Sequence, residues 1–163
     1  MSEALAIREK HDGALTDRSS VRLWLRLLSC TMAIEKDVQR RFAALGTTLA
    51  RFDLLAALDR HPGGMTMGAL SRALLVSNGN VTQIVQKLAK DALVRIAPCP
   101  DDRRASIVRL TARGRMEFAG LAAAHHDWID ALLADVDAAT RENLYQSLGA
   151  LKRAIAKGQS LGS

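Results

Sequence analysis

Apolar positions recur along this chain with two different periods, and the changes of period mark its elements. From Ser20 onward, Val21, Trp24, Leu25, Leu27, Leu28, Met32, Ile34, Val38, Phe42 and Leu45 spread over a helical surface wider than one stripe. Such a helix must be covered on more than one side. Gly46 is a natural stop, and Thr48 caps a second helix carrying Leu49, Phe52, Leu54, Leu55 and Leu58. His61-Pro62-Gly63-Gly64 is a turn. Two short helical patterns follow closely. Thr66 caps the first (Met67, Leu70, Leu74), Leu75-Val76-Ser77 is the joint, and Ser77 caps the second (Val81, Ile84, Val85, Leu88). The period then changes to two. Leu93-Val94-Arg95-Ile96 and Ser106-Ile107-Val108-Arg109-Leu110 alternate as strands around a Pro- and Asp-rich turn at 97–104, which predicts a hairpin. Thr111 caps a long helix through Phe118, Leu121, His125, Trp128, Ile129, Leu132 and Val136, and Asp137 caps a last one through Leu144, Leu148, Leu151 and Ile155. Residues 1–18 are polar without a sustained period and read as a flexible arm; 158–163 read as a flexible tail.

The fold class expected is mainly α with a minor β component: a winged helix-turn-helix with flanking dimerisation helices. Residues 47–111 form the winged lobe, and 19–46 with 112–157 form the helical dimerisation region. At 163 residues the chain is long enough to bury a core. Aromatics are only 4%, so that core is built from aliphatic residues. No apolar stretch reaches the ~18 residues of a membrane span. The opening MSEALAIREKHDG lacks the apolar region of a secretory signal. Two cysteines make no disulfide framework, so a cytoplasmic protein is the default expectation.

Charge sharpens the picture. The net charge is +6, and residues 72–115 alone hold Arg72, Lys87, Lys90, Arg95, Arg103, Arg104, Arg109, Arg113 and Arg115 against Asp91, Asp101 and Asp102. The rest of the chain is balanced, so the whole excess sits in one stretch, as expected of a polyanion binder. A solvated basic face is the bland alternative. Anionic lipid is a weaker one, because the stretch contains no Trp or Phe.

The second short helix turns Asn78, Asn80, Thr82, Gln83, Gln86 and Lys87 to one side, without an acid. A helix fits the major groove, and Asn or Gln can make two hydrogen bonds to adenine. Ser77, Asn78, Asn80, Thr82, Gln83 and Lys87 are therefore the candidate DNA-reading residues. Arg103 and Arg104 at the hairpin tip suit a phosphate backbone or a narrow minor groove.

The run TMGALSRALLVSNGNVTQIVQKLAKDALVRIAPCPDDRRASIVRLTARGR resembles the MarR (multiple-antibiotic-resistance regulator) family. The resemblance rests on Val76-Ser77, Leu93-Val94-Arg95, Asp102-Arg103-Arg104, Leu110-Thr111 and Gly114, and extends over roughly residues 20–157. It implies a homodimeric transcription regulator on a near-palindromic operator, with the first and last two helices forming the dimer interface. It also implies that Asp102 orients Arg104 into the minor groove. Ala92 stands where the family usually has Gly; were positive φ required there, Ala would cost about 1 kcal/mol.

The resemblance also implies a response to small aromatic acids or related acyl-CoA thioesters and control of a catabolic or efflux operon, aromatic-compound catabolism included; repression is the commoner outcome in the family, and the sequence leaves repressor and activator open. For such an anionic ligand the candidates are Trp24 with Asp53, Arg22 and Arg26, and His125 with Trp128. The alternative is that both tryptophans anchor a core and His125 is a satisfied interfacial histidine. Cys99, near the hairpin tip, offers an oxidant-sensing alternative, although no resolving cysteine lies close in sequence. Neither a cofactor nor a metal site is expected. The chain has no HExxH, CxxC, P-loop or GxGxxG motif, and His125-His126 are adjacent and so point apart on a helix. The reading is of a non-enzyme. A helical interaction protein without nucleic acid is the other class, distinguished by DNA binding.

Overall fold

The computed structural model describes residues 19–99 and 105–160. The proposed arm, the proline and basic tip of the hairpin (100–104) and residues 161–163 lie outside the described residues. Helix α1 (Ser19–Ala44) ends at Gly46, whose φ is +71°. The Gly46 amide donates to Ala43 O and the Thr47 amide to Phe42 O, both at 3.0 Å, so the last carbonyls of α1 are satisfied by a left-handed cap. Thr48 then starts α2 (Leu49–Asp59), its side chain accepting from the Arg51 amide. This helix is the centre of the core, with Phe52 and every residue from Leu54 to Leu58 buried.

The turn after α2 leads into β1 (Met65–Thr66), α3 (Met67–Leu74) and α4 (Asn78–Lys90). Strands β2 (Val94–Pro98) and β3 (Ser106–Leu110) form the hairpin, and the sheet order is β1-β3-β2, antiparallel throughout. Met65 pairs with Val108, and Ile96 faces Val108 from the other side. Strand β1 was not anticipated: two residues have no period, and Thr66 also serves as the cap of α3. The second strand of the sequence reading agrees with β3 residue for residue. The first begins one residue later and runs further, to Pro98, which an edge strand accommodates because its missing N–H faces no neighbour. Gly64, at φ +88°, makes the approach of β1 to β3 possible: a Cβ there would lie 2.5 Å from Arg109 Cγ and 2.7 Å from Val108 O.

Helix α5 (Ala112–Leu132) and helix α6 (Ala138–Ser160) complete the order. Val136 is a correction: it continues the sequence period but lies in the turn after α5, where its amide donates to Leu133 O. Asp137 caps α6 as expected, accepting from the Thr140 amide at 2.9 Å.

By compactness the chain divides into a unit ending at His125 and a unit starting at His126. The first holds the core, where Phe42, Leu54, Leu55, Leu58, Leu70, Val81, Val85, Leu88 and Val108 are fully buried. In the second, none of the described residues is buried. Leu144, Tyr145, Leu148 and Ile155 on α6 are exposed. Helix α1 buries only Val38 and Phe42 and leaves Val21, Leu23, Trp24, Met32 and Ile34 exposed.

Candidate nucleic-acid interface

Helix α4 has two faces because its apolar residues keep a helical step. Val81, Val85 and Leu88 are fully buried, while Ser77, Asn78, Asn80, Gln83, Gln86, Lys87 and Lys90 are exposed. The amide side chains thus point away from the core, as base-edge contacts require. Ser77 spends its hydroxyl oxygen on the helix start, accepting from the Asn80 amide at 3.4 Å. Thr82 is less available than the sequence suggested. It is half-buried, and its hydroxyl donates to Asn78 O at 2.9 Å, which leaves its lone pairs and methyl for a ligand.

The two ends of α4 are held by different devices. At the start, the Ser71 hydroxyl donates to Val76 O at 2.5 Å and the Val76 amide donates to Ser71 O at 3.2 Å. These fix the turn between α3 and α4, with Leu75 at φ 55° and ψ 35°. At the finish, Ala92 adopts φ 59°, its amide donating to Ala89 O and that of Leu93 to Leu88 O at 2.9 Å. Among the described residues, Leu75 and Ala92 are the two non-glycines with positive φ, and they bracket α4.

Asp91, the acid at the end of α4, is held by Arg51 of α2 at 2.6 Å. Sequence reasoning missed this pair: 40 residues separate the partners, and no local pattern links them. The bridge offsets a carboxylate at a helix C-terminus, where the helix dipole disfavours it. It also ties α4 to the core helix.

After α4 the chain closes a compact knot. The Thr111 amide donates to Leu93 O at 3.0 Å and its hydroxyl to Ala92 O at 2.7 Å, while the Gly114 amide donates to the Thr111 hydroxyl oxygen at 2.9 Å. A Cβ on Gly114 would lie 1.9 Å from Leu93 O. The motif residues Leu93, Thr111 and Gly114 therefore lock the exit of α4 to the start of α5.

The basic side chains of the 72–115 stretch differ in exposure and partners. Arg72, Lys87, Lys90, Arg95, Arg113 and Arg115 are exposed. Arg109 instead donates to Gly63 O at 2.7 Å and supports the turn before β1. Asp102, Arg103 and Arg104 lie outside the described residues, which follow the hairpin only to Cys99, whose amide donates to Ala105 O at 2.9 Å.

The ligand candidates separate into groups. His125 stacks on Phe42 (centroids 5.9 Å apart, planes 10°) and packs on Phe52 at 4.8 Å. Phe52 also meets Phe42 at 4.8 Å and Phe118 at 5.6 Å. Asp53, half-buried, joins this cluster: burial raises its carboxyl above the usual 3.8, the charges of His125 and Arg60 oppose the rise, and Glu35 adds to it. Arg22 and Arg26 are exposed on α1, and Trp128 is half-buried in the second unit. Trp24 is 59% exposed, so within one chain it does not anchor a core, against that part of the sequence reading. Cys99 is half-buried and Cys30 exposed. Among the described residues no group of three His, Cys, Asp or Glu side chains is positioned for a metal, and no helix is long and apolar enough to cross a membrane.

A MarR family model matches residues 45–105, the stretch from the end of α1 into the hairpin. The transcriptional activatory protein BadR of Rhodopseudomonas palustris is 35% identical over 96 residues. That match covers 58% of this chain, which spans 55% of the length of that relative. The crystal structure of a MarR family transcriptional regulator from Silicibacter pomeroyi superposes with a TM-score of 0.74 at 30% identity, over 88% of this chain and 99% of that one. AbsC, a MarR family regulator from Streptomyces coelicolor, gives a TM-score of 0.76 over 90% and 97% of the chains; at 22% identity it attests the fold alone.

Proposed function

This chain belongs to the MarR family of transcriptional regulators, and from that premise we propose that it binds operator DNA as a homodimer in the cytoplasm, with α4 in the major groove. The observation that carries the reading is the solvent-facing, acid-free face of α4, with Asn78, Asn80, Gln83 and Lys87 set opposite a fully buried apolar stripe. By the family resemblance, Arg103 and Arg104 would add DNA contacts, with Asp102 the residue expected to orient Arg104; all three lie outside the described residues. The dimer reading is supported by apolar side chains left in solvent on α1 and, separately, on α6. Two copies of α4 would meet half-sites about 34–36 Å apart. The domain division follows: 47–111 reads DNA, and 19–46 with 112–157 dimerises.

Repression is the direct consequence of a dimer sitting on a promoter. One observation favours a second reading, activation, since the Rhodopseudomonas relative is named an activatory protein. Transcript levels with and without the gene separate the two. We further assign the inducer to a small anionic aromatic acid or acyl-CoA thioester. The best-supported contacts for it are Asp53 and His125 beside Phe42 and Phe52, with Arg22, Arg26, Trp24 and Trp128 as further candidates.

The central test is fluorescence anisotropy on DNA from upstream of the chain's own gene. Specific binding should appear and weaken steeply with salt, log K falling by about 0.9 per phosphate neutralised for each unit of log salt. Binding equal to that of unrelated duplex removes sequence-specific recognition. Sedimentation showing only 18 kDa species at micromolar concentration removes the dimer.

A further inference from the structure

Leu75 is the residue the regulator reading does not absorb. It is 92% exposed, the highest value among the exposed large hydrophobic side chains of the described residues, and it adopts φ 55°. Both features oppose its being leucine. An aliphatic side chain gains nothing from water, and the left-handed region favours Gly or Asn. Nor does the turn itself call for leucine. Its geometry is held by the Ser71 hydroxyl and by the amides of Leu75 and Val76, all bonds that any residue but proline at position 75 would leave intact.

The surroundings identify an occupant. The first turn of α4, from Ser77 to Asn80, is open to solvent, and a Cβ built on Gly79 meets nothing within 4 Å. Arg72 is exposed on the preceding helix, and no described acid intervenes between Arg72 and Asp91. In a helix-turn-helix the first helix crosses the backbone and the start of the second enters the major groove. The turn between them therefore rides on the groove edge, where the apolar groups are deoxyribose carbons and thymine methyls.

Resting on the DNA-binding reading above, we infer that Leu75 is a DNA contact, packing its side chain on a deoxyribose or thymine methyl at the edge of the groove and adding apolar affinity to the polar contacts of α4. The test compares the parent with Leu75→Gly and Leu75→Asn, both compatible with the left-handed turn. Readouts are anisotropy on an operator fragment and an unrelated duplex, and melting temperature. Leu75→Gly should melt higher than the parent yet bind operator about tenfold more weakly. The salt slope should not change, because no charge is removed. Leu75→Asn should lose affinity alongside it. A loss that vanishes on operator with uracil in place of thymine identifies a methyl contact, and one that persists on both duplexes identifies the sugar; either supports the inference. Unchanged operator affinity overturns it. So does a loss of binding in both variants accompanied by lower melting temperatures, which marks a structural role. A parent protein that binds no duplex overturns the regulator reading as well, and does so before any variant is compared.

Discussion

Replacing Ala92 with glycine should stabilise this protein, although it removes atoms and adds no contact. Ala92 caps the end of α4 at φ 59°. The left-handed conformation costs an L-residue with a Cβ about 1–2 kcal/mol. Glycine is free of that cost but loses more chain entropy on folding, about 0.4–1 kcal/mol relative to alanine. No packing term enters, because Ala92 is exposed. Both cap hydrogen bonds, Ala92 to Ala89 and Leu93 to Leu88, involve only backbone and survive the change. The net gain is about 0.5–1 kcal/mol, which for a chain of this size raises the melting temperature by roughly 1–4 °C. The assay is circular dichroism on heating, at one fixed protein concentration because the proposed dimerisation would shift the midpoint. The reciprocal change is Gly46→Ala. Gly46 has φ +71°, and a Cβ built on it meets nothing within 4 Å, so the same backbone term should appear with opposite sign. If Ala92→Gly melts at or below the parent while Gly46→Ala melts lower, the strain assigned to Ala92 is refuted.

Gly114→Ala should destabilise by roughly 2–3 kcal/mol or more, because the added Cβ would lie 1.9 Å from Leu93 O and must push apart the start of α5 and the exit of α4; a urea midpoint equal to the parent's contradicts the close approach. Asp53→Asn should be more stable than the parent at pH 7. The folded-state pKa of Asp53 is raised by burial, so the folded state holds its proton more tightly than the unfolded chain. Its contribution to stability is therefore present below the ordinary value of 3.8 and lost as pH rises through the raised value. The advantage of the Asn variant should vanish in acid, and a difference independent of pH rules out titration as its source. Lys87→Ala should weaken binding to all duplexes alike and reduce the salt slope by about 1, whereas Gln83→Ala should change base preference at one position with the slope intact; the reverse pattern in anisotropy would reassign both side chains.

What the sequence made legible follows from the range over which each signal acts. Strand β3 and the caps Thr48, Thr66, Ser77 and Asp137 were readable because a cap or an alternation is complete within a few residues. Strand β1 has two residues and carries no period. Val136 misled because a helical step can continue across a turn by chance. Trp24 was weighed as a core anchor because an apolar period does not say which molecule covers it. The Arg51–Asp91 bridge left no trace because tertiary folding alone brings its partners together. The face of α4 was legible as a pattern, but its availability was not: only coordinates show that Thr82 already donates to Asn78 O.

Leu93, Thr111 and Gly114 explain why this family's motif reads through so clearly in one sequence. Each takes part in the same local knot. Thr111 gives an amide to Leu93 O and a hydroxyl that donates to Ala92 O while accepting from the Gly114 amide. Gly114 gives the absence of a side chain where the Leu93 carbonyl must pass. Leu93 fills a buried site beside Leu88 while its amide closes the cap of α4. The knot transmits position: α5 cannot shift at its start without displacing the exit of α4, which Arg51 also holds from the core side. A displacement of α5 at its start would therefore reach the exit of the helix proposed to read DNA through these backbone contacts.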